Sequence, residues 1–276
     1  MEITLPDYKL NHSRPIIGHG NFGYESPEVG SSMLVDSSIV DQKFLLWDYI
    51  IENGLLASSD METRHRAVSL LNDKTIMAYA TLKFDDTPVK MLYLQDAILS
   101  DDHDRILFCG CNQHIGKSFT LNVDAATEFL VDHNKNWIGI LVSGSLPQSQ
   151  FQMDRIKQLL KAAPNVTYKE ENTSMGKNGK KDNTTQLSYT FYEDDGVTPK
   201  YRNLLICCPH TSSALGYPAN VLWLDEFDFW DNCDQDHFLY QVAIPRTFKT
   251  KGKIKIYTNP DGKEKMMYKL WSQKKP

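Results

Sequence analysis

The chain has 276 residues, 41% of them hydrophobic and 24% charged, with a formal net charge of −5. That is ordinary globular material, enough for one large domain or a domain with an appendage. The acidic balance excludes a globally basic nucleic-acid binder, no apolar run approaches the ~18 residues of a membrane span, and five cysteines in a chain this long do not form a disulfide framework.

Residues 1–40 are rich in Gly, Pro, Ser and Asn and read as an irregular arm with no basic-then-apolar leader pattern. With the clustered cysteines, this points to a reducing, cytosolic compartment. Residues 41–75 read helical, with Phe44, Leu45, Trp47, Ile50 and Ile51 at helical spacing, and a further helix is expected over 94–100. From there strands and helices alternate. Strands are expected at 105–111, 137–143, 203–209, 220–226 and 253–258, and helices at 118–131, 148–162 and 263–273. Short apolar strands with helical crossovers imply a parallel sheet covered on both faces. The polar stretch 169–186, with Lys177, Lys180 and Lys181, reads as the tip of a β-hairpin or an inserted loop.

The stretch CGCNQHIGKSFTL ends in Gly116-Lys117-Ser118 between a strand and a helix, the setting of a phosphate-binding loop. Its front half departs from the general pattern: Cys111 stands where a glycine is expected, and Gly110 lies one place early. In such a loop the backbone of Asn112, Gln113, His114, Ile115 and Gly116 cradles phosphates, with Phe119 opening the helix behind it. Lys117 would neutralise the β- and γ-phosphates and Ser118 would ligate Mg²⁺. A lone Gly-Lys-Ser is also a common helix start with an exposed lysine.

NVLWLDEFDFW strengthens the nucleotide reading, because its apolar strand ends in Asp225-Glu226. At the carboxyl edge of a parallel sheet, Asp225 would hold Mg²⁺ and Glu226 would polarise the attacking water. These are Walker A and Walker B elements in order. KIKIYTNPDG delivers Thr258-Asn259-Pro260 to the same edge, where Thr258 would report on the γ-phosphate. Upstream, the amide of Gln95 could pair with adenine through both donor and acceptor. The cysteine–histidine spacings around Cys109 and Cys207 are not those of zinc sites, and Phe227, Phe229 and Trp230 read as packing residues.

In order, MLYLQDAIL, the Gly-Lys-Ser loop, IGILVSGSLPQSQFQMDRIKQLL, ALGYPANVLWLDEFDFW and TNPDGKEKMMYKLW resemble the ATPase half of the terminase large subunit, the DNA-packaging motor of tailed viruses. The resemblance covers about residues 85–276. It implies a P-loop NTPase fold of the ASCE/RecA-like kind, with a mainly parallel central sheet flanked by helices. Residues 1–84 would form an N-terminal arm and a mainly helical appendage. It further implies ATP and Mg²⁺ as cofactors and ATP hydrolysis coupled to double-stranded DNA translocation in the cytoplasm of a virus's host. The partners would be the portal protein, the terminase small subunit and further copies in a ring.

The family often carries Arg and Gln where this chain has Gln113 and His114, so another arginine would serve as the finger: Arg105, Arg155, Arg202, Arg246 or one from a neighbouring subunit. The family's nuclease domain would follow the closing helix, and with the sequence ending at Pro276 no nuclease residues are assigned. Two other readings stand beside this one: a helicase-like nucleic-acid ATPase, and a degenerate nucleotide-binding assembly module.

Overall fold

Aspartates set the helix starts in the first part of the chain. Asp60 accepts hydrogen bonds from the Glu62 and Thr63 N–H groups, and Asp73 accepts from those of Thr75 and Ile76. Each satisfies donors that the first turn of a helix leaves open. A computed structural model describes residues 37–100, 106–110, 116–161, 185–193, 195–259 and 261–273. By its internal contacts the chain divides into two units, Met1–Asp102 and His103–Pro276.

The first unit carries α1 (Ser37–Glu52), α2 (Met61–Ser69), α3 (Lys74–Thr81) and α4 (Tyr93–Ser100), with a small antiparallel pair, β1 (Lys83–Phe84) and β2 (Thr87–Pro88). The single helical region expected over 41–75 is thus broken. Gly54 turns left-handed at φ 63°, and the Asp60 and Asp73 caps restart the helix twice. Leu46, Trp47, Ile50, Leu55, Ala67 and Ile76 form its core. Lys43 is buried there between Asp73 at 2.8 Å and Asp96 at 2.5 Å. Burial works against its charge, but the two carboxylates outweigh burial and raise its pKa.

The second unit is built on a six-stranded sheet: β3 (Ile106–Gly110), β4 (Trp137–Ser143), β5 (Gln186–Tyr192), β6 (Pro199–Pro209), β7 (Val221–Asp225) and β8 (Lys253–Thr258). Its order is β3-β8-β7-β4-β6-β5. Every pairing is parallel except β5 with β6. The central strands are buried almost without interruption, which explains their unbroken apolar runs. Helices α5 (Lys117–Leu130), α6 (Leu146–Lys161) and α7 (Met266–Gln273) flank the sheet. A further helical stretch opens at Gln235–His237, widens to π geometry over Phe238–Ala243 and closes at Ile244–Phe248.

Strand β5 turns back on β6 through Glu193–Thr198, where Asp195 accepts from the Val197 and Thr198 N–H groups and Gly196 is left-handed at φ 67°. The segment 162–184, with its three lysines, lies outside the described residues. One close contact fixes the middle of the sheet. A Cβ on Gly139 would meet the Trp137 ring at 2.4 Å and the Trp223 ring at 2.8 Å, so only glycine fits beneath that edge-on aromatic pair.

Candidate nucleotide site

The parallel strands end together. Gly110 of β3 is level with Thr258 of β8, and Tyr257 is level with Asp225 of β7. Gly116, left-handed at φ 83°, is the N-cap that starts α5 at Lys117. Asn112, Gln113, His114 and Ile115 lie outside the described residues, while Ser118 and Phe119 occupy the first turn of α5, both half-buried.

Lys117 is 6% exposed and its Nζ donates to Asn259 Oδ1 at 2.6 Å, bridging the start of α5 to the end of β8. Asp225 is buried at the end of β7 and accepts from Gln152 Nε2 at 2.6 Å. Gln152 in turn accepts from Asn122 Nδ2 at 2.7 Å, so a chain of buried amides runs from α5 through α6 to Asp225. Burial and the neighbouring Glu226 charge push the Asp225 carboxyl up to about 7, against the Gln152 hydrogen bond and the Lys117 ammonium, which hold it down. Trp230 Nε1 donates to the Asp225 carbonyl at 2.8 Å and braces the strand end.

Glu226 stands in the left-handed region at φ 52° and ψ 43°, uncommon for a residue with a long side chain. Its N–H donates to the Tyr257 carbonyl at 2.7 Å, which pins it beside β8. Such backbone strain persists only where neighbours over-determine it, and it clusters at functional positions.

Thr258 is fully buried, and its hydroxyl accepts from the Asp228 N–H at 3.0 Å and donates to the Asn259 carbonyl at 3.1 Å. Asp228 accepts from the Met267 N–H at 3.0 Å, and Gln235 joins the Asp228 carbonyl to the Met266 N–H. The end of β8 is therefore tied to the turn after Asp225 and to the start of α7. Phe227 and Trp230 pack in the core as expected, whereas Phe229 is exposed.

The structure brings Lys117, Asp225 and Glu226 together through these contacts, with Thr258 next to them at the same edge. Gln95 belongs to the first unit, buried near the start of α4, where its Oε1 accepts from the Leu92 N–H at 2.9 Å. Among the arginines, Arg105 lies outside the described residues. Arg155 stacks on the Phe151 ring of α6 at 4.6 Å. Arg202 precedes Asn203, which is level with the first residue of β4, and the Arg246 carbonyl accepts from Ala219 N–H just ahead of β7. Both therefore sit at the amino edge of the sheet, away from Lys117 and Asp225.

Gln152, Asn122 and Asn259 are hydrogen-bonded to these residues or to one another; the sequence brings Asn259 to this edge but does not single out Gln152 or Asn122. A signal for Gln152 existed: it shares the buried helix face of Ser149, Met153, Ile156, Leu159 and Leu160, and a polar residue on an apolar face needs a partner. Nothing in the spacing distinguished Asn259 from Thr258.

The sheet order, the glycine-started helix and the strand-end acidic pair define a P-loop fold. Among solved structures the chain is similar to the ATPase domain of the large terminase of Thermus phage P74-26. It matches an arginine-to-alanine mutant of that domain at a TM-score of 0.52 and 15% identity, covering 66% of this chain and 69% of the other. It matches the same phage's domain without that mutation at a TM-score of 0.50 and 16% identity, covering 63% and 66%. At these identities the likeness is one of fold. No family profile and no curated protein matches the chain.

Proposed function

We propose that this chain is the ATPase motor domain of a terminase large subunit, hydrolysing ATP to drive double-stranded DNA into a procapsid. The observation that carries the reading is the meeting of Lys117, Asn259 and the Asp225-Glu226 pair at one carboxyl edge of a parallel sheet. The fold shared with a phage terminase ATPase domain supports it.

In this reading the 112–116 backbone and the amino end of α5 hold the phosphates. The three donors of the Lys117 ammonium let it address Asn259 and phosphate oxygens together. Ser118 and Asp225 would hold Mg²⁺, and the donor set fits: a buried carboxylate raised to about 7 beside a second acid gains from a hard cation. Among the described residues no group of three or more His, Cys, Asp or Glu side chains could hold an ion. Phosphate oxygens would therefore share the coordination, as is usual for Mg²⁺. The ion would neutralise phosphate charge.

Glu226 takes the proton of the attacking water from its left-handed position beside β8. Thr258 and Asn259 relay phosphate occupancy along the Thr258–Asp228–Met267 hydrogen bonds to α7. With Arg202 and Arg246 at the far edge, the finger is Arg105, Arg155 or an arginine of a neighbouring copy in the ring. The portal protein and the small subunit are the other partners this reading assigns. This reading places its action in the host cytoplasm; among the described residues no helix is long and apolar enough to cross a membrane.

The test pairs two variants. Lys117→Ala abolishes binding of a fluorescent ATP analogue. Glu226→Gln keeps binding and lowers phosphate release by roughly 10²-fold or more. Wild-type turnover in both would place hydrolysis elsewhere, and undiminished nucleotide binding by Lys117→Ala would refute the phosphate-loop assignment.

A further inference from the structure

The amino edge of the sheet carries a second concentration of chemistry. On a chain of net charge −5, the stretch 246–253 (RTFKTKGK) holds Arg246, Lys249, Lys251 and Lys253 and no acidic residue. It forms the turn into β8. Across the entries of β4 and β7 lies a groove of about 400 Å³ lined by Lys135, Asn136, Ile138, Asn220, Lys249 and Thr250. Lys135, Lys249 and Lys251 are exposed, and no ion pair engages them among the described residues. The carboxylate nearest Lys135 in sequence, Asp132, already accepts from the Tyr201 hydroxyl and the Asn134 N–H.

The basic turn is rigid. Gly252 N–H donates to the Thr247 carbonyl at 2.8 Å, Lys251 N–H to Phe248 at 3.2 Å, and Lys253 N–H to Asn220 at 2.9 Å. The Thr250 hydroxyl is hydrogen-bonded to the Ala219 and Thr247 carbonyls. A Cβ on Gly252 would lie 2.5 Å from the Ala219 and Asn220 carbonyl oxygens, so the turn is clamped against the entry to β7. Phe248 stands 67% exposed within it. Exposed lysines around a polar floor, beside an exposed ring, suit phosphates with a sugar or base next to them. They do not suit a free nucleotide triphosphate, which the carboxyl edge accommodates roughly 16 Å away across the five residues of β7.

The geometry points to this edge as a docking surface for the phosphate backbone of duplex DNA, gripped by Lys135, Lys249 and Lys251. The choice of duplex DNA among polyanions rests on the motor reading; the surface itself does not. Contact is to the backbone, so it is independent of sequence and sensitive to salt.

Fluorescence anisotropy with a labelled duplex of about 30 base pairs tests it, over a salt series around 0.1 M. Replacing Lys135, Lys249 and Lys251 together by glutamate weakens duplex binding at least tenfold, and three glutamine replacements lower the salt slope by about one per lysine. ATP-analogue binding stays at the wild-type level, because none of the three belongs to the nucleotide site. Duplex affinity within twofold of wild type with an unchanged slope would overturn the assignment. So would a glutamate variant that keeps duplex binding but loses binding to poly-glutamate, which would mark an acidic protein as the partner. Nucleotide binding and turnover are read on the same samples. A failure of the ATPase reading then appears in Lys117→Ala and Glu226→Gln, separately from any change in duplex affinity.

Discussion

Lys255→Met removes the cation from a fully buried ion pair. Lys255 Nζ lies 2.6 Å from Asp124 Oδ2, with the side chains 2% and 0% exposed. The Trp223 indole N–H donates to the same oxygen at 2.7 Å. Without the ammonium, a carboxylate remains in the core with its charge uncompensated, and breaking such a pair from one side costs about 3–5 kcal/mol. That is a large share of the ~5–15 kcal/mol that holds an ordinary domain together. The pair joins α5, β7 and β8, the elements that present Lys117, Asp225 and Asn259, so the loss falls on the frame of the site. Urea unfolding followed by tryptophan emission measures it, with Trp223 itself as a reporter. The double variant Lys255→Met with Asp124→Asn removes both charges and regains most of the loss, because a neutral pair leaves no buried charge. A single variant destabilised by less than about 1 kcal/mol, or a double variant no better than the single, would refute the reasoning.

Two further outcomes follow from other positions. Burial and the Glu226 charge push the folded Asp225 carboxyl up to about 7 from an ordinary 3.8, so its protonated form stabilises the fold below pH 4 and that contribution is lost as pH rises through 7. Asp225→Asn should therefore be relatively more stable than wild type at pH 8 than at pH 4, by at most about 4 kcal/mol, and a pH-independent difference in urea midpoints would contradict this. Gly139→Ala forces a methyl into the rings of Trp137 and Trp223 and should destabilise by about 1–3 kcal/mol, read as a lower thermal midpoint; an unchanged midpoint would mean the aromatic pair yields freely.

Much of the second unit was legible because its strands are short, apolar and buried on both faces. Strands β4 and β8 match their expected spans, and α5 begins one residue earlier than expected because Gly116 itself adopts the left-handed cap. Strand β6 begins at Pro199, four residues before the expected 203, because its amino half pairs with β5, and a non-local partner leaves little trace in one strand's own pattern. In the first unit the breaks at Gly54, Asp60 and Asp73 were written in ordinary cap and turn residues that the apolar periodicity overshadowed. The placement of Lys117 at a helix start and of Asp225 and Glu226 at a strand end could be read because such positions have sequence signatures. The contacts of Gln152 and Asn259 depend on which helices and strands become neighbours, and no local pattern encodes that.

The amide chain into Asp225 has a direction. An ionised Asp225 can only accept, so Gln152 turns its nitrogen to the acid and its oxygen to the Asn122 N–H. With Asp225 ionised, Gln152 cannot flip without setting its oxygen against a carboxylate oxygen. Ionised Asp225 is thus met by a donor from α6. A one-way wire of neutral groups, starting on the helix behind the phosphate loop, orients the acid at the end of a different strand.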